Sequence, residues 1–335
     1  DARFTDFGGW TMPVQYRGVL EEHAAVRERV GVFDVSHLGR FEVVGSGAIE
    51  VLRSQLCNDI TKITPGRAQY TMALNDRGGV EDDIIVWWLD DDRFWVMPNG
   101  TNSDDILARF VAAARGRASI TDVRTDTALV AVQGPDAPEM VERVCGAVPG
   151  RFRVITGAVE GRPVTLAGTG YTGERGAEIC VDAADAEKVW DAFVAAGAVP
   201  AGLGARDTLR LEMGYPLWGQ DLTEDISPVE AGLGWVVAWE HDFVGKDALT
   251  AIAAAPPAEL IAFATEGRTI PRHGYAMNSS TATGVVTSGN FSPTLGHGIG
   301  LALMSPPPSP DDVYHVTIRG TEVPATRVTL PFIDR

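Results

Sequence analysis

The stretch GGVEDDIIVWW, residues 78 to 88, places three acidic side chains directly before five large apolar ones. The apolar residues from Ile84 to Trp88 occupy both parities of an extended chain, which predicts a strand covered on both faces. Asp82 and Asp83 begin that run, so one of the two carboxylates must point inward. A buried carboxylate is costly unless it is paired or serves a ligand. The residues alone leave both alternatives open, an internal ion pair and a ligand site.

From Phe41 onward, the chain runs through a similar pattern twice, which predicts two related halves. A strand followed by a Gly-x-x-Ala-x-Glu helix start occurs at Gly45 and again at Gly134. A hairpin that ends near Asp83 is matched by one that ends near Glu178, and a helix containing FVAA follows in both cases. Such halves predict two antiparallel sheets that are covered by helices and face one another across a pseudo-twofold axis. A seam of this kind suits a ligand pocket, with one carboxylate from each half.

The composition changes near residue 250, first to Ala and Pro and then to short alternating segments separated by Gly, Pro, Ser and Asn. This pattern is typical of a small barrel or sandwich. We therefore predict an all-β barrel domain at 256–335, with a hairpin turn near Arg319 and Gly320.

The predicted fold class is α+β. The region 1–255 should contain two ferredoxin-like halves, each an antiparallel sheet with helices. They cover approximately 41–125 and 126–215, and the N-terminal and 216–255 segments should pack around them.

Charge and composition exclude several functions. With 45 acidic and 28 basic residues, the chain has a formal charge of −17, which repels nucleic acids and anionic lipids. No window approaches the roughly 20 apolar residues of a membrane span, and the N-terminus has no signal pattern. The three cysteines, Cys57, Cys145 and Cys180, contain no CxxC pair, so we interpret them as core thiols and expect no metal site. The sequence predicts a soluble cytoplasmic protein, with a monomer as the default.

The motif GTGYTG, residues 168–173, formally matches the dinucleotide-binding pattern GxGxxG. A dinucleotide site requires that the glycine-rich turn open a helix, but the segment that follows here is a strand pattern. We therefore interpret the motif as an irregular hairpin that carries Tyr171 and Glu174 outward.

Arg206 lies in GLGARDTLRLEMG, for which two interpretations stay open. The arginine is part of a charged helix face, or it offers a planar fork to a carboxylate or a heterocycle carbonyl. His37 is a lone histidine and is interpreted as structural. No Ser-His-Asp or HExxH arrangement supports a hydrolase or a zinc enzyme. Among the eight tryptophans, we predict core positions for Trp87, Trp88, Trp235 and Trp239.

Several longer motifs in order give the chain a resemblance to a known family. They are FGGWTMPVQY, VFDVSH, NDITKITPGRAQYT, GGVEDDIIV, GTGYTGERGAEI, GLGARDTLRLEMGYPL and TSGNFSPTLGHGIGLA. From near residue 4 to near 332, the chain resembles the aminomethyltransferase (T-protein) family of the glycine cleavage system. The resemblance implies a three-domain cloverleaf with tetrahydrofolate at its centre. It also implies a reaction that takes the aminomethyl group from the dihydrolipoyl arm of the H-protein, releases ammonia and yields 5,10-methylenetetrahydrofolate.

The resemblance assigns roles to seven residues. Asp83 matches the family's catalytic acid, where a carboxylate hydrogen-bonds the N10 proton of folate and makes that nitrogen more nucleophilic. Glu178 matches the acid that accepts two parallel hydrogen bonds from the pterin 2-amino group and N3–H. The remaining implied folate-binding positions are Tyr70 and Asn99 on the first half, Tyr171 and Arg206 in the pterin pocket, and Arg272 of the C-terminal domain.

The chain departs from the family pattern at Leu38 and Ala177, where we expect a reshaped pocket wall. Three other functions stay open from the sequence. One is a tetrahydrofolate-dependent demethylase of a small methylamine or methoxy compound, which shares the folate site but not the H-protein. Another is a non-catalytic folate-binding regulatory protein, which does not need the carboxylate at Asp83. The last is a scaffold or carbohydrate-binding protein without folate.

Overall fold

The computed structural model describes residues 2–309 and 311–335. Asp1 and Pro310, which belong to the predicted regions 1–255 and 256–335, lie outside the described residues. The chain forms two compact units. The first unit comprises Asp1–Thr71 and Asp83–Arg206, and the second comprises Met72–Asp82 and Asp207–Arg335.

The N-terminal segment begins with a two-stranded hairpin and continues through a helix to a buried strand. Its elements are β1 (Arg3–Phe7), β2 (Trp10–Gln15), α1 (Val19–Glu28) and β3 (Gly31–Asp34). Apolar Val32 and Phe33 make β3 a covered strand, and β3 pairs with a later part of the chain instead of with the hairpin.

The first predicted half forms a five-stranded sheet with the order β5-β6-β7-β4-β8. Its elements are β4 (Phe41–Val44), α2 (Ala48–Gln55), β5 (Arg67–Leu74), β6 (Val80–Asp90), β7 (Arg93–Met97), α3 (Ser103–Ala114) and β8 (Ser119–Asp122). The tip of the β5–β6 hairpin, residues 72–82, belongs to the second unit.

The second half repeats this succession of elements. It consists of β9 (Thr127–Gln133), α4 (Ala137–Cys145), β10 (Val154–Val159), β11 (Arg162–Ala167), β12 (Gly176–Asp182), α5 (Ala186–Ala195) and β13 (Val199–Pro200). The sheet order is β10-β11-β12-β9-β3-β13, which is the order of the first half with β3 inserted between β9 and β13. The strand order therefore supports the internal repeat, and each half has five strands, two more than a β-α-β-β-α succession contains.

The repeat changes one detail of the sequence interpretation. The hairpin that contains Asp83 is β5–β6, and its topological counterpart is β10–β11, whereas Glu178 lies on β12, the counterpart of β7. The two carboxylates are therefore not at equivalent positions of the repeat. Adjacent strands of one sheet have similar apolar alternation. The sequence pattern therefore matched Asp83 on β6 to a strand one position away from its true counterpart.

The C-terminal segment forms the predicted barrel. After α6 (Leu203–Glu212) and α7 (Lys246–Ala254), the chain enters a closed barrel of six strands. Around the barrel, the order is β14-β17-β16-β15-β18-β19, and β14 closes on β19. The strands are β14 (Glu259–Thr265), β15 (Ala276–Asn278), β16 (Thr283–Phe291), β17 (Gly298–Ser305), β18 (Tyr314–Ile318) and β19 (Thr321–Val328).

The predicted turn between β18 and β19 is confirmed, since Arg319 and Gly320 connect Ile318 to its partner Thr321. Both turn residues have positive φ, 51° and 82°, as a two-residue turn that matches the twist of the strands requires. The α+β class with a C-terminal barrel is also confirmed. The domain boundary at residue 255 stays a prediction.

The core predictions hold in part. The cysteines and the tryptophans of β6 are buried, but Trp235 is 72% exposed and Trp239 is also exposed, so the core prediction is wrong for these two. Trp235 lies within a single 3₁₀ turn, Gly234–Val236, and Trp239 follows it, whereas Val236 and its apolar neighbours occupy the inward positions there. In the described part of the chain, no helix is long and apolar enough to cross a membrane.

Helix α3 provides a direct test of the core. Phe110 is fully buried and packs edge-on against Phe41 of β4, with ring centroids 5.1 Å apart. We expect Phe110→Ala to lower the free energy of unfolding by about 3–5 kcal/mol, through lost transfer energy and the cavity left behind. The adjacent Val111 is exposed, so Val111→Ala should change it by about 0.5 kcal/mol or less. Urea unfolding monitored by circular dichroism measures both, and equal effects would contradict this packing.

Candidate functional site

The strand β6 presents its two aspartates differently. Asp82 is 0% exposed and lies on the same face as the buried Val80 and Ile84, whereas Asp83 is half-buried on the other face with Ile85. The fully buried carboxylate is therefore Asp82. Because the face with Asp83 is only partly covered at this end of the strand, Asp83 is the aspartate that a ligand can reach.

Asp83 accepts hydrogen bonds at both carboxylate oxygens. The Tyr70 hydroxyl of β5 donates to Oδ2 at 3.0 Å, and the Asn99 side-chain amide donates to Oδ1 at 2.8 Å. The β6–β7 register pairs Ile85 with Met97, and its continuation places Asn99, just beyond β7, opposite Asp83. Both neighbours are neutral donors, so these bonds orient the carboxylate without neutralising its charge.

Tyr70 links this carboxylate to the second half. Burial, followed by the Asp83 carboxylate and the Tyr171 hydroxyl, raises the pKa of Tyr70 well above its ordinary value. Tyr70 therefore stays a protonated donor over the working pH range. The influence of Tyr171 also shows that the loop after β11 lies within electrostatic reach of Tyr70.

Glu178 lies on β12 and faces away from the helices. Its neighbours Ala177 and Ile179 belong to the core beneath α4 and α5, so alternation places the Glu178 side chain on the other face of the sheet. The carboxylate is buried and accepts a hydrogen bond from the Thr169 hydroxyl. Burial raises its pKa, although Thr169 and the Arg206 guanidinium act in the opposite direction. This environment also corrects the expectation for Ala177, which faces the helices and does not line the site.

Arg206 lies on α6 with its guanidinium over the Tyr171 ring, the Cζ atom being 4.6 Å from the ring centroid. Burial lowers the pKa of Arg206, against the influence of Tyr171 and Glu178. Of the two interpretations of this arginine, the structure favours the planar fork, since the group stacks on an aromatic ring beside a carboxylate.

The start of α6 is fixed by a residue that the sequence analysis did not consider. Glu22 of α1 is fully buried, and its Oε2 atom accepts a hydrogen bond from the Gly202 backbone at 2.9 Å. Its Oε1 atom accepts from three successive backbone N–H groups, those of Tyr16, Arg17 and Gly18. A Cβ atom on Gly202 would stand 2.5 Å from the Val14 carbonyl oxygen, so only glycine allows this approach.

His37 is the second residue that the sequence alone did not associate with the site. Burial and the positive charges of Arg206 and Arg40 lower its pKa to about 3, so the imidazole is neutral. Its Nδ1 atom is buried and has no hydrogen-bond partner among the described residues. The sequence signal was the VSH segment after β3, which does not distinguish this environment from an ordinary core histidine.

Six of the seven predicted positions therefore lie in the first unit and are connected by contacts or electrostatics. The chain of interactions runs through Asp83, Asn99, Tyr70, Tyr171, Arg206 and Glu178. The seventh, Arg272, belongs to the second unit, where its Nη1 atom donates to the Asn290 side-chain oxygen at 3.3 Å. In the described residues, no group of three or more His, Cys, Asp or Glu side chains could hold a metal ion.

The arrangement offers two kinds of chemistry. At one end, the oriented carboxylate of Asp83 accepts hydrogen bonds or stabilises positive charge in a bound molecule. At the other end, a buried carboxylate beside a stacked guanidinium suits a flat heteroaromatic group that has both donor and acceptor edges.

Comparison with known proteins agrees with this architecture. Residues 1–241 match the GCVT N-terminal domain, and residues 259–334 match the glycine cleavage T-protein C-terminal barrel domain. Curated aminomethyltransferases match almost the whole chain. That of Frankia alni is 47% identical over 99% of this chain and 94% of its own length, and that of Mycobacterium tuberculosis is 44% identical over 99% and 93%.

A solved structure of an aminomethyltransferase also matches the fold of this chain. The crystal structure of glycine cleavage system aminomethyltransferase T from Bartonella henselae superposes with a TM-score of 0.91 at 29% identity, covering 99% of this chain and 94% of that one. A GCVT domain followed by a T-protein barrel defines the class, a transferase of the glycine cleavage type. The chain belongs to the glycine cleavage T-protein family and is an aminomethyltransferase.

The raised pKa of Glu178 predicts how stability depends on pH. Because the folded protein binds this proton more tightly than the unfolded chain does, ionisation of Glu178 costs stability as the pH rises. We expect Glu178→Gln to gain stability relative to the wild type between about pH 4.5 and pH 7. The carboxyl of Asp185 has a pKa lowered from its ordinary 3.8 by hydrogen bonds from Lys188 and Arg162, so it stays ionised across this range, and Asp185→Asn should differ from the wild type by a constant amount. Thermal denaturation across this range measures both variants. Plots of Tm against pH that run parallel for the wild type and Glu178→Gln would contradict the raised pKa.

Proposed function

We propose that this aminomethyltransferase takes the aminomethyl group from the dihydrolipoyl arm of a lipoylated H-protein and transfers its carbon to tetrahydrofolate. The products are 5,10-methylenetetrahydrofolate, ammonia and the dihydrolipoyl H-protein. The names of the matching proteins support the aminomethyl transfer and the glycine cleavage context. We also propose that the enzyme is a cytoplasmic monomer.

The observation that carries the proposal is the hydrogen-bonded carboxylate of Asp83. Tetrahydrofolate supplies the nitrogens that take up the one-carbon unit. An ionised carboxylate beside one of these nitrogens accepts a hydrogen bond from its N–H group and increases its electron density. The same carboxylate stabilises positive charge that develops on the transferred group. Tyr70 and Asn99 hold both oxygens in place, so the orientation exists before the substrate binds.

Glu178 and Arg206 suit the other end of the folate. A pterin presents a 2-amino group and N3–H on one edge, and a carboxylate accepts both in parallel. In the described structure, Glu178 has an oxygen bonded to Thr169 and lies beside Arg206, and Tyr171 supplies an aromatic face. These donor and acceptor types fit the pterin, so we assign Glu178, Arg206 and Tyr171 to pterin binding. Arg272 keeps its proposed place at the folate through the resemblance alone.

The wild-type enzyme tests the proposal directly. Titration with tetrahydrofolate, followed by tryptophan fluorescence and checked by calorimetry, should show binding. In the presence of folate, aminomethyl-loaded H-protein should release ammonia, whereas unloaded H-protein should not. Binding without this release would favour the demethylase or regulatory alternatives. Absence of binding would refute the folate site.

Two isosteric variants should separate the two ends of the site. Asp83→Asn removes the charge at the transfer end, so turnover should fall by roughly 10²-fold or more while the folate dissociation constant changes little. Glu178→Gln offers an amide N–H where the pterin also has a donor, so binding should weaken by about 2 kcal/mol or more.

The matched control is Asp105→Asn, which removes an exposed carboxylate on α3 and should change neither value. Steady-state kinetics and calorimetry measure all three variants. Unchanged turnover in Asp83→Asn would end its catalytic assignment, and unchanged folate binding in Glu178→Gln would place the pterin elsewhere.

A further inference from the structure

Two of the contacts at the pterin end come from a segment without regular structure. Residues 168–175 connect β11 to β12, and they carry Thr169, which donates to Glu178, and Tyr171, which lies under Arg206. A loop that supplies contacts of this kind must be held in one conformation, since an ordered site requires its own supporting shell. The residues that hold this loop lie outside the seven assigned positions.

Gln133, the last residue of β9, hydrogen-bonds to two residues of this loop. It is 1% exposed, and its Oε1 atom accepts a hydrogen bond from the Thr172 hydroxyl at 2.9 Å. Its Nε2 atom donates to the Thr169 carbonyl oxygen at 3.2 Å and to the Val132 carbonyl oxygen at 3.2 Å. The side-chain amide thus bonds to both sides of Tyr171, at Thr169 and at Thr172.

The loop backbone packs directly on this amide. A Cβ atom on Gly170 would stand 2.0 Å from the Gln133 Oε1 atom, and one on Gly176 would stand 2.0 Å from the Val132 carbonyl oxygen. With the Gln133 amide in this position, no side chain other than hydrogen fits at Gly170. Gly170 of the GTGYTG motif therefore serves the contact with Gln133, whereas a Cβ atom on Gly168 would stand 2.0 Å from the Gly150 carbonyl oxygen. Close contacts within the protein thus account for both glycines.

The far end of the loop is secured by an ion pair. The Arg27 Nη1 atom of α1 lies 2.8 Å from the Glu174 Oε1 atom, and it also donates to the Thr172 carbonyl oxygen at 2.7 Å. The two side chains are only 3% and 7% exposed. Glu174 therefore points inward, and the expectation that the hairpin carries it outward is wrong. Its charge requires Arg27 as a partner, because an isolated buried carboxylate is costly.

We propose that Gln133 is a positioning residue for pterin binding, holding residues 168–175 so that Thr169 orients Glu178 and Tyr171 supports Arg206, with the Arg27–Glu174 pair fixing the end of the loop. The inference rests on the proposed function for its ligand. Buried polar groups of this kind contribute little net stability compared with an apolar replacement, whereas they do specify one arrangement of the atoms they join.

The role predicts a separation of kinetic effects. Without the Gln133 amide, the Thr172 hydroxyl and the Thr169 carbonyl lose a buried partner, and the loop relaxes. Glu178 and Arg206 then lose their orientation, so binding of the pterin end weakens. Asp83 and its partner Asn99 lie on the first sheet and keep their geometry, so turnover at saturating folate is preserved. A residue that serves only stability would raise the apparent dissociation constant only in proportion to the unfolded fraction, so a variant that stays folded at the assay temperature would bind tetrahydrofolate as the wild type does.

The test compares Gln133→Met, which keeps the length of the side chain, with Val141→Ala, a control in the buried core of α4. In Gln133→Met, the dissociation constant for tetrahydrofolate should rise by ~10-fold or more, with turnover at saturating folate within ~2-fold of wild type. Hydrogen exchange of the peptide covering 168–176 should be faster than in the control. Thermal denaturation establishes that both variants are folded and comparably stable.

Equal dissociation constants and equal loop exchange in Gln133→Met and Val141→Ala would overturn the inference. If Gln133→Met does not fold, Thr172→Val replaces it, since it removes the hydroxyl that donates to Gln133 and accepts from the Glu174 backbone N–H; a several-fold weaker affinity is then expected, and an unchanged one overturns the inference. If the wild type binds no tetrahydrofolate, the proposed function fails, while the exchange measurement still decides whether Gln133 holds the loop. In that case, faster loop exchange in Gln133→Met shows that Gln133 holds residues 168–175, and equal exchange rejects this.

Discussion

The first unit is organised around carboxylates that are wholly or partly removed from water and must therefore find hydrogen-bond donors. Glu22, Asp83 and Glu178 satisfy this requirement in three ways. Glu22 uses only backbone N–H groups, and Asp83 uses side chains next to its own strand. Glu178 uses a loop hydroxyl and a neighbouring guanidinium. Glu22 is therefore a structural anchor, whereas Asp83 and Glu178 keep lone pairs that can accept hydrogen bonds from a ligand.

The electrostatics of the site follow from this arrangement. At the Glu178 end, burial outweighs the attraction between the carboxylate and Arg206, since the pKa of Glu178 is raised while that of Arg206 is lowered. Each charge is thus incompletely compensated by the other, which leaves both able to gain from a polar ligand. His37 is neutral because its pKa is lowered to about 3, so it adds no further positive charge beside Arg206.

Much of this architecture follows from the sequence, and the failures have physical causes. The turn at Arg319 and Gly320 and the alternation of the barrel strands are local patterns, so they were predictable. The equivalence of Asp83 and Glu178 was wrong because neighbouring strands look alike and only hydrogen-bond pairing separates them. The sequence left open which of Asp82 and Asp83 is buried, because that depends on which face of β6 is fully covered, and no local signal specifies it. His37 and Glu22 were not associated with the site because Arg206 and Gly202, which connect them to it, lie far away in the chain.

The glycine-rich motif shows that a local signal can be interpreted fully only together with its distant partner. GTGYTG resembles a phosphate-binding turn because glycine permits close approach to a backbone, but the approaching group here is the Gln133 side chain, 37 residues before Gly170. The same absence of Cβ atoms that would admit a pyrophosphate admits an amide instead. With that amide in the space, the loop places Thr169 and Tyr171 on the Glu178 side of the sheet. A glycine pattern therefore specifies a close contact, and the contacting group decides the function.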